Sequence, residues 1–354
     1  MSSDDLIRDR FARTRAAARA IDLDILILGR RDDVRYLTGS EQLWTAGTRP
    51  FGAVATLVVG SGDLYVLSTW EEGVSELVPF ENLHGISWNA ATVAGRLGAV
   101  PGLAQARRIG VDGLSPGFGQ LLAMLAPDAE VVAADHCLDG ARRVRLPAEV
   151  AAIRHGIGVA QVAMEAARLA LSGGVSENHV AGTAVAAASR HGRLQPADVP
   201  TVRATSSREF EQPKGSTDTA IHAGSLVRID LSFLVEGYEG GLGRTVAVDL
   251  AGPTLNSERD RLDEAQCTLV ARCRAGATGA EVAAGAPEHW LVRGSGMGFE
   301  LPVIDARTGH EALLEAGMVL SVESAIFLES FGTLSRRDMV LVGDGEPEVL
   351  TPPL

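Results

Sequence analysis

Between residues 4 and 20 apolar positions recur at helical spacing (Leu6, Phe11, Ala17), and the chain then enters a solidly apolar run, LDILILG. The first stretch predicts a helix and the second a buried strand. After RRDDVRYLTG come two more strand-like runs, GAVATLVVG and, past the turn residues GSGD, GDLYVLS. Helical segments (ATVAGRLGAV, GFGQLLAMLA) then alternate with strands as far as VVAADHC, and that alternation predicts an α/β unit. Around 138–148 the text becomes LDGARRVRLPAEV, charged and then Pro-initiated. It predicts a linker that opens a helix at about Ala148.

The second half has a different rhythm. Two Ala-rich helical segments, 147–171 and 176–190, are separated by SGGVSEN, which supplies a turn and an N-cap. Strands are expected around 226–236 and 244–250, a helix at 257–275, a short one at 279–291, and strands at 317–327 and 337–343. Helices with an antiparallel sheet indicate an α+β domain. The rhyme of SGGVSENHVA with AGATGAEVAA suggests that this domain is internally duplicated. The expected division is 1–143 and 144–354. One stretch resists this reading: GYEGGLGRT, 237–245, follows the apolar run LVRIDLSFLV and reads as a glycine bend before the strand TVAVDL.

Composition narrows the class. The 354 residues are 46% apolar and 22% charged, enough for roughly two domains. Forty-five acidic against 32 basic residues give a net charge of −13, which disfavours nucleic acid or an anionic membrane as partner. The N-terminus, MSSDDLIRDRFARTR, has no apolar core for a signal peptide, and no run approaches the ~20 apolar residues of a membrane span. Cys137, Cys267 and Cys273 form neither a CxxC pair nor an even set, so no zinc knuckle or disulfide frame is indicated. A soluble, cytoplasmic protein is expected. Of the basic residues only Lys214 is a lysine, a bias that fits a GC-rich genome.

Two carboxylates stand out. Asp230 in LVRIDLSFL and Glu323 in GMVLSVESAIF lie inside apolar strands, where a lone carboxylate is costly to bury unless paired. Burial alone would raise their pKa and suit one of them to acid–base work.

The ordered segments PAEVAAIRHG, GVSENHVA, HAGSLVRIDLSFLVEGYEGGLGRT, GSGMGFELP, EAGMVLSVES and RRDMVLV resemble the creatinase/prolidase/aminopeptidase P superfamily, the "pita-bread" fold. DDVRYLTGS and VLST resemble that superfamily's smaller N-terminal domain. The resemblance implies an α/β N-terminal domain followed by a duplicated α+β pita-bread domain. Its metal-dependent members hold two divalent cations with two Asp, one His and two Glu. Transferred position by position, the first Asp falls on Asp230 and the first Glu on Glu323. The second Asp falls on Gly241, the His on Ser295 and the last Glu on Arg337. Two of five ligands remain, and an arginine in a ligand position repels a cation. The resemblance therefore implies a site without metal or other cofactor, as in creatinase, which kept its activity after losing its metals. The missing side chain in the glycine stretch is a metal-bridging carboxylate.

Other family positions are also changed. One catalytic histidine falls on Pro213, a later one on Pro302, and creatinase's glutamate on Gly243. What is implied is a metal-independent enzyme acting on a small, carboxylate-bearing, amino-acid-derived substrate, with C–N hydrolysis, lyase and isomerase chemistry all open. Asp230, Glu323 and Lys214 are candidate catalytic residues, although for Lys214 a solvated loop lysine is the favoured reading. Arg337, Arg49, Tyr238, Glu239 and Ser295 are candidate substrate-binding residues. For Tyr238 packing competes with that role, and for Arg49 a surface salt bridge. Arg337 is expected about 3 Å from Asp230 or Glu323, either as an ion pair filling the vacated volume or as an anion clamp. A homodimer with Arg49 acting in trans is implied. The competing reading is a catalytically silent descendant that binds a peptide or protein.

Overall fold

A computed structural model describes residues 3–40, 54–68, 73–85, 87, 89–113, 115–192, 194–205, 210 and 215–353. The chain divides into two units, Met1–Arg142 and Arg143–Leu354.

In the first unit the helix α1 (Ser3–Ala20) precedes strand β1 (Ile25–Leu28), all four residues of which are buried. Then come α2 (Arg31–Thr38), β2 (Val54–Val58), β3 (Leu64–Ser68), β4 (Leu83–Gly85), α3 (Ala90–Gly98), β5 (Arg108–Val111), α4 (Pro116–Leu125), β6 (Glu130–Ala133) and α5 (Asp135–Arg142). The strands form one sheet in the order β4-β3-β2-β1-β5-β6. Pairing of β2 to β1 and β3 is antiparallel, and the other pairs are parallel. Apolar side chains cover both faces, as the unbroken apolar strand text requires. The expected linker at 138–148 is corrected: Leu138–Arg142 close α5, and the irregular stretch is confined to 143–146. Leu138 and Ala141 are buried, so this charged text carries a helical apolar stripe.

The second unit opens with α6 (Pro147–Ala170) and α7 (Glu177–Ala188). Pro147 begins α6, where its missing N–H costs nothing. There follow β7 (Leu194–Pro196), β8 (Thr201–Ala204), β9 (Leu226–Val235), β10 (Tyr238–Ala247), α8 (Pro253–Ala271), α9 (Gly279–Ala283), β11 (His289–Ser295), β12 (Phe299–Ile304), β13 (Val319–Leu328), β14 (Gly332–Leu341) and β15 (Glu348–Val349). Among the described residues nine strands make one sheet, β12-β11-β13-β14-β10-β9-β7, with β8 also on β9 and β15 on β14. Its named pairs are antiparallel, and two hairpins, β9–β10 and β13–β14, meet along β10 and β14 at its centre. The duplication is visible in detail. Ser176 caps α7 and Thr278 caps α9, and each of these two caps also forms an isolated β-bridge, to Ala220 and Leu313 respectively.

Two expectations fail here for instructive reasons. The predicted helix over 279–291 is helical only to Ala283, and 289–295 is a strand; its apolar run fits either period at that length. The glycine bend is a strand: Tyr238–Ala247 pairs with β9 throughout, and the turn is only Glu236–Gly237. Glycine at 240 is required by packing, because a Cβ there would lie 1.9 Å from the carbonyl carbon of Gly156 on α6.

Candidate functional site

Strand periodicity and register together build the site. Arg228, Asp230 and Ser232 alternate along β9 and so share a face, as do Glu239, Gly241 and Gly243 on β10. Register then aligns one row across four strands: Asp230 opposite Gly243, Gly243 opposite Arg337, Arg337 opposite Glu323. With no side chain at 243, Arg337 reaches over β10 to Asp230. Its Nη2 lies 2.6 Å and its Nε 3.1 Å from Asp230 Oδ1, and Nη2 also donates to the Leu231 carbonyl at 2.9 Å. A Cβ at 241 would stand 2.7 Å from Ser232 Oγ and 2.9 Å from both Arg337 Nη1 and the Leu231 carbonyl oxygen, so the guanidinium is one of three groups crowding the space a side chain there would need.

A second arginine, which the sequence reading did not single out, completes the cluster. Arg228 Nη2 donates to Asp230 Oδ2 at 3.1 Å and to Glu323 Oε1 at 2.8 Å, bridging the two carboxylates. Burial works to raise the Asp230 carboxyl, but Arg337 and Arg228 outweigh it and hold it below the ordinary range. At Glu323 burial wins: the carboxyl is raised despite Arg228, and the neighbouring Asp230 charge adds to the rise. The two carboxyls are thus pushed in opposite directions, Asp230 toward the anion and Glu323 toward its protonated form.

Beside this cluster Glu239 is clamped. Arg293 meets both its oxygens, at 2.9 and 2.5 Å, while Ser232 Oγ and Ser295 Oγ donate at 2.6 and 2.8 Å. Burial would raise Glu239, yet Arg293, Arg337 and Ser232 bring it down to about 2. Above these groups lies a cavity of about 270 Å³, walled by Val199, Leu291 and Phe299, with Asp198 at its edge. The Arg293 guanidinium stacks 4.8 Å over the Phe299 ring.

The structure brings together Asp230, Glu323, Arg337 and Glu239 on this cavity. Ser295 is fully buried behind Glu239, bonded to it rather than presented as a nucleophile. Tyr238 is not among the cavity's residues. Its hydroxyl donates to Glu149 at 3.0 Å, a packing contact between β10 and α6. Arg244 is buried in mid-strand and donates to the Arg337 carbonyl and to Asp338. His222 and His310 are exposed. Lys214 and Arg49 lie outside the described residues. Arg228 and Arg293 had one legible signal: each stands two positions before a singled-out residue, and hence on the same face of its strand.

Residues 151–344 match metallopeptidase family M24, and residues 10–144 match the creatinase/prolidase N-terminal domain. The chain belongs to metallopeptidase family M24. Among curated relatives, an uncharacterized peptidase, YqhT, of Bacillus subtilis is 26% identical over 357 residues, covering 94% of both chains. An Xaa-Pro dipeptidase of Pyrococcus horikoshii is 23% identical over 343 residues, 93% of each. The crystal structure of the prolidase from Pyrococcus horikoshii superposes with a TM-score of 0.83 at 19% identity, covering 98% of both chains, and shows the shared fold.

The family name implies a metal, so the donor set is the test. Both Asp230 oxygens and Glu323 Oε1 are occupied by guanidinium groups. Position 241 offers no side chain, 295 a serine committed to Glu239, and 337 a cation. Among the described residues no group of three or more His, Cys, Asp or Glu is placed to hold a metal ion. These residues do not fit a pair of dications, which need several free oxygen or nitrogen donors.

Proposed function

We propose that this M24 member hydrolyses a C–N bond in a small, carboxylate-bearing amino-acid derivative of dipeptide size, without a metal, using Glu323 as the proton carrier. The observation that carries this reading is Arg337 lying on Asp230 in the space left by Gly241, with Arg228 joining Asp230 to Glu323. Two guanidinium charges stand where two dications would otherwise balance the carboxylates. The relatives named as peptidases and Xaa-Pro dipeptidases support hydrolysis over lyase or isomerase chemistry and suggest a dipeptide as the first substrate to test. Asp230, held ionised by two arginines, anchors them and is not the group that moves a proton. Arg49, acting in trans within a homodimer, is the proposed grip on the substrate carboxylate. A silent peptide-binding descendant fits less well, because the cavity is retained and its charges converge on it.

The test is turnover of a panel of Xaa-Pro dipeptides and creatine-like amidino acids in the presence of EDTA, with elemental analysis of the same preparation. Chelator-resistant turnover that falls at least ~100-fold in Glu323→Gln supports the reading. About one or more equivalents of Mn, Co, Zn or Fe per chain, removed by EDTA together with the activity, would sink it.

A further inference from the structure

Far from the cavity, the first unit buries two carboxyls against each other. Asp112 follows the last residue of β5, and Gly29 follows the last residue of β1, the adjacent parallel strand. Fully buried, Asp112 accepts the Gly29 N–H on Oδ1 at 2.5 Å and the Arg30 N–H on Oδ2 at 3.0 Å. Arg30 is the N-cap of α2 and its side chain makes no capping bond, so Asp112 ties the start of that helix to the end of β5. In the first turn of α2, Asp33 is also buried and lies within hydrogen-bonding reach of the Asp112 carboxyl.

The charges around the pair do not balance. Arg142 on α5 bonds Asp33 and is the one guanidinium among the described residues that bonds either carboxyl. Arg30 passes beside Gly113 but pairs with Asp135, at the start of α5, at 2.6 Å. Arg10 on α1 lies over the Tyr36 ring, 5.0 Å from its centroid. Asp33, Asp112 and Asp135 therefore share two guanidiniums, and one negative charge is left over. Two carboxyls in contact in a dry site are compatible only if one carries a proton. Because Arg142 sits on Asp33, that proton belongs on Asp112, whose O–H then donates to the Asp33 carboxylate. Burial drives the Asp112 carboxyl up to about 7; the two backbone N–H groups pull against it, and the Asp33 charge adds to the rise.

We infer that Asp33 and Asp112 form a proton switch in the first unit: one proton, carried on Asp112 and donated to Asp33, locks the start of α2 to the end of β5, and its loss sets two buried carboxylates against each other and loosens that anchor. The folded chain holds this proton more tightly than the unfolded chain does. Its contribution to stability is thus fully present below the ordinary aspartate range, falls as pH rises above about 4, and is exhausted above about 7. Carboxylates held by arginine, such as Asp230 and Glu239, have the opposite sign and lose their contribution toward acid. A variant at Asp112 is needed to separate the two slopes.

The experiment follows aspartate carboxyl carbons by NMR in the full-length chain labelled with carbon-13 aspartate, from about pH 5.5 to about pH 8, alongside denaturant unfolding. One carboxyl should titrate with a midpoint near 7, and its signal should be missing from Asp112→Asn. That variant keeps an acceptor for a backbone N–H and a donor for Asp33, and so imitates the protonated state. Unfolding is read by tryptophan fluorescence, three of the four tryptophans falling within 1–142. Relative to Asp112→Asn, the wild-type unfolding constant should rise ~30-fold across this range, the release of one proton with a midpoint of about 7. Asp33→Asn guards against a folding defect in the first variant: it removes the neighbouring charge and should lower the same midpoint by about one unit or more. No aspartate titrating between about pH 6 and 8, a midpoint that Asp33→Asn leaves in place, or a wild-type pH dependence that Asp112→Asn reproduces would overturn the inference.

Discussion

Removing one partner from a buried ion pair is more damaging than never having built it, because the survivor keeps its charge and loses its solvent. Arg337→Met should therefore cost about 3–5 kcal/mol in denaturant unfolding of the second unit. The double variant with Asp230→Asn should recover part of that loss, since the stranded charge is gone; no recovery would show that Arg337 acts through packing alone. Glu239 makes a second prediction, in pH. Its folded carboxyl is depressed to about 2, so its contribution is fully present above the ordinary glutamate range and is lost as pH falls through 4.5 toward 2. Glu239→Gln should flatten the acid limb of the stability–pH curve, and an unchanged limb would count against the clamp described here. Asp230 and Glu323 were legible in the sequence because a carboxylate interrupting an apolar strand is conspicuous. Arg228 and Arg293 were not, since an arginine beside valine or leucine in a strand also reads as an ordinary solvent-facing alternation. Only the pairing across the whole sheet turns them inward together.

At the scale of elements, the glycine-rich text of β10 is where sequence reasoning erred, and the reason is a tertiary contact. Glycine is poor in strands by propensity, but at 240 it lets α6 approach until backbone meets backbone at Gly156. The helices and strands around it were found within a few residues because their apolar periodicity is long and regular. The 289–295 strand was missed because seven residues are too few to separate the two periods. Gly240→Ala should lower stability by more than the ~1–3 kcal/mol usual for overpacking, because the obstructing atoms are backbone and cannot rotate aside. Gly158, two residues from Gly156 on the same helix and with open space around its Cβ position, is the control: Gly158→Ala should be stabilising by up to about 1 kcal/mol through helix propensity. Equal effects at the two positions in thermal unfolding would remove the close-approach argument.

For the molecule as a whole, both matched domains were visible in the sequence as ordered motifs, and no helix among the described residues is long and apolar enough to cross a membrane. The proposed homodimer is checked by light scattering, a monomer at micromolar concentration being the adverse result. Metal linkage offers the sharper test of the whole molecule. A protein with a dication site of micromolar affinity gains about 4 kcal/mol at a thousandfold excess of metal. In a unit of roughly 200 residues that corresponds to a Tm rise of about 8–16 °C. Here the second unit should show essentially no rise with 1 mM Mn2+ or Co2+ and no fall with EDTA, because Arg337 sits in the space of Gly241 and two guanidiniums hold the carboxylates. The converse follows from the same geometry. Gly241→Asp alone should destabilise, since its Cβ would meet Arg337, Ser232 and the Leu231 carbonyl, whereas adding Arg337→Glu and Ser295→His removes the guanidinium contact and restores the three missing donors. That triple variant should gain a Mn2+-dependent rise in Tm while the wild type stays flat. A wild-type protein that Mn2+ stabilises by many degrees would mean that the arginines yield to a cation, and the exchange of metal for guanidinium argued here would not hold.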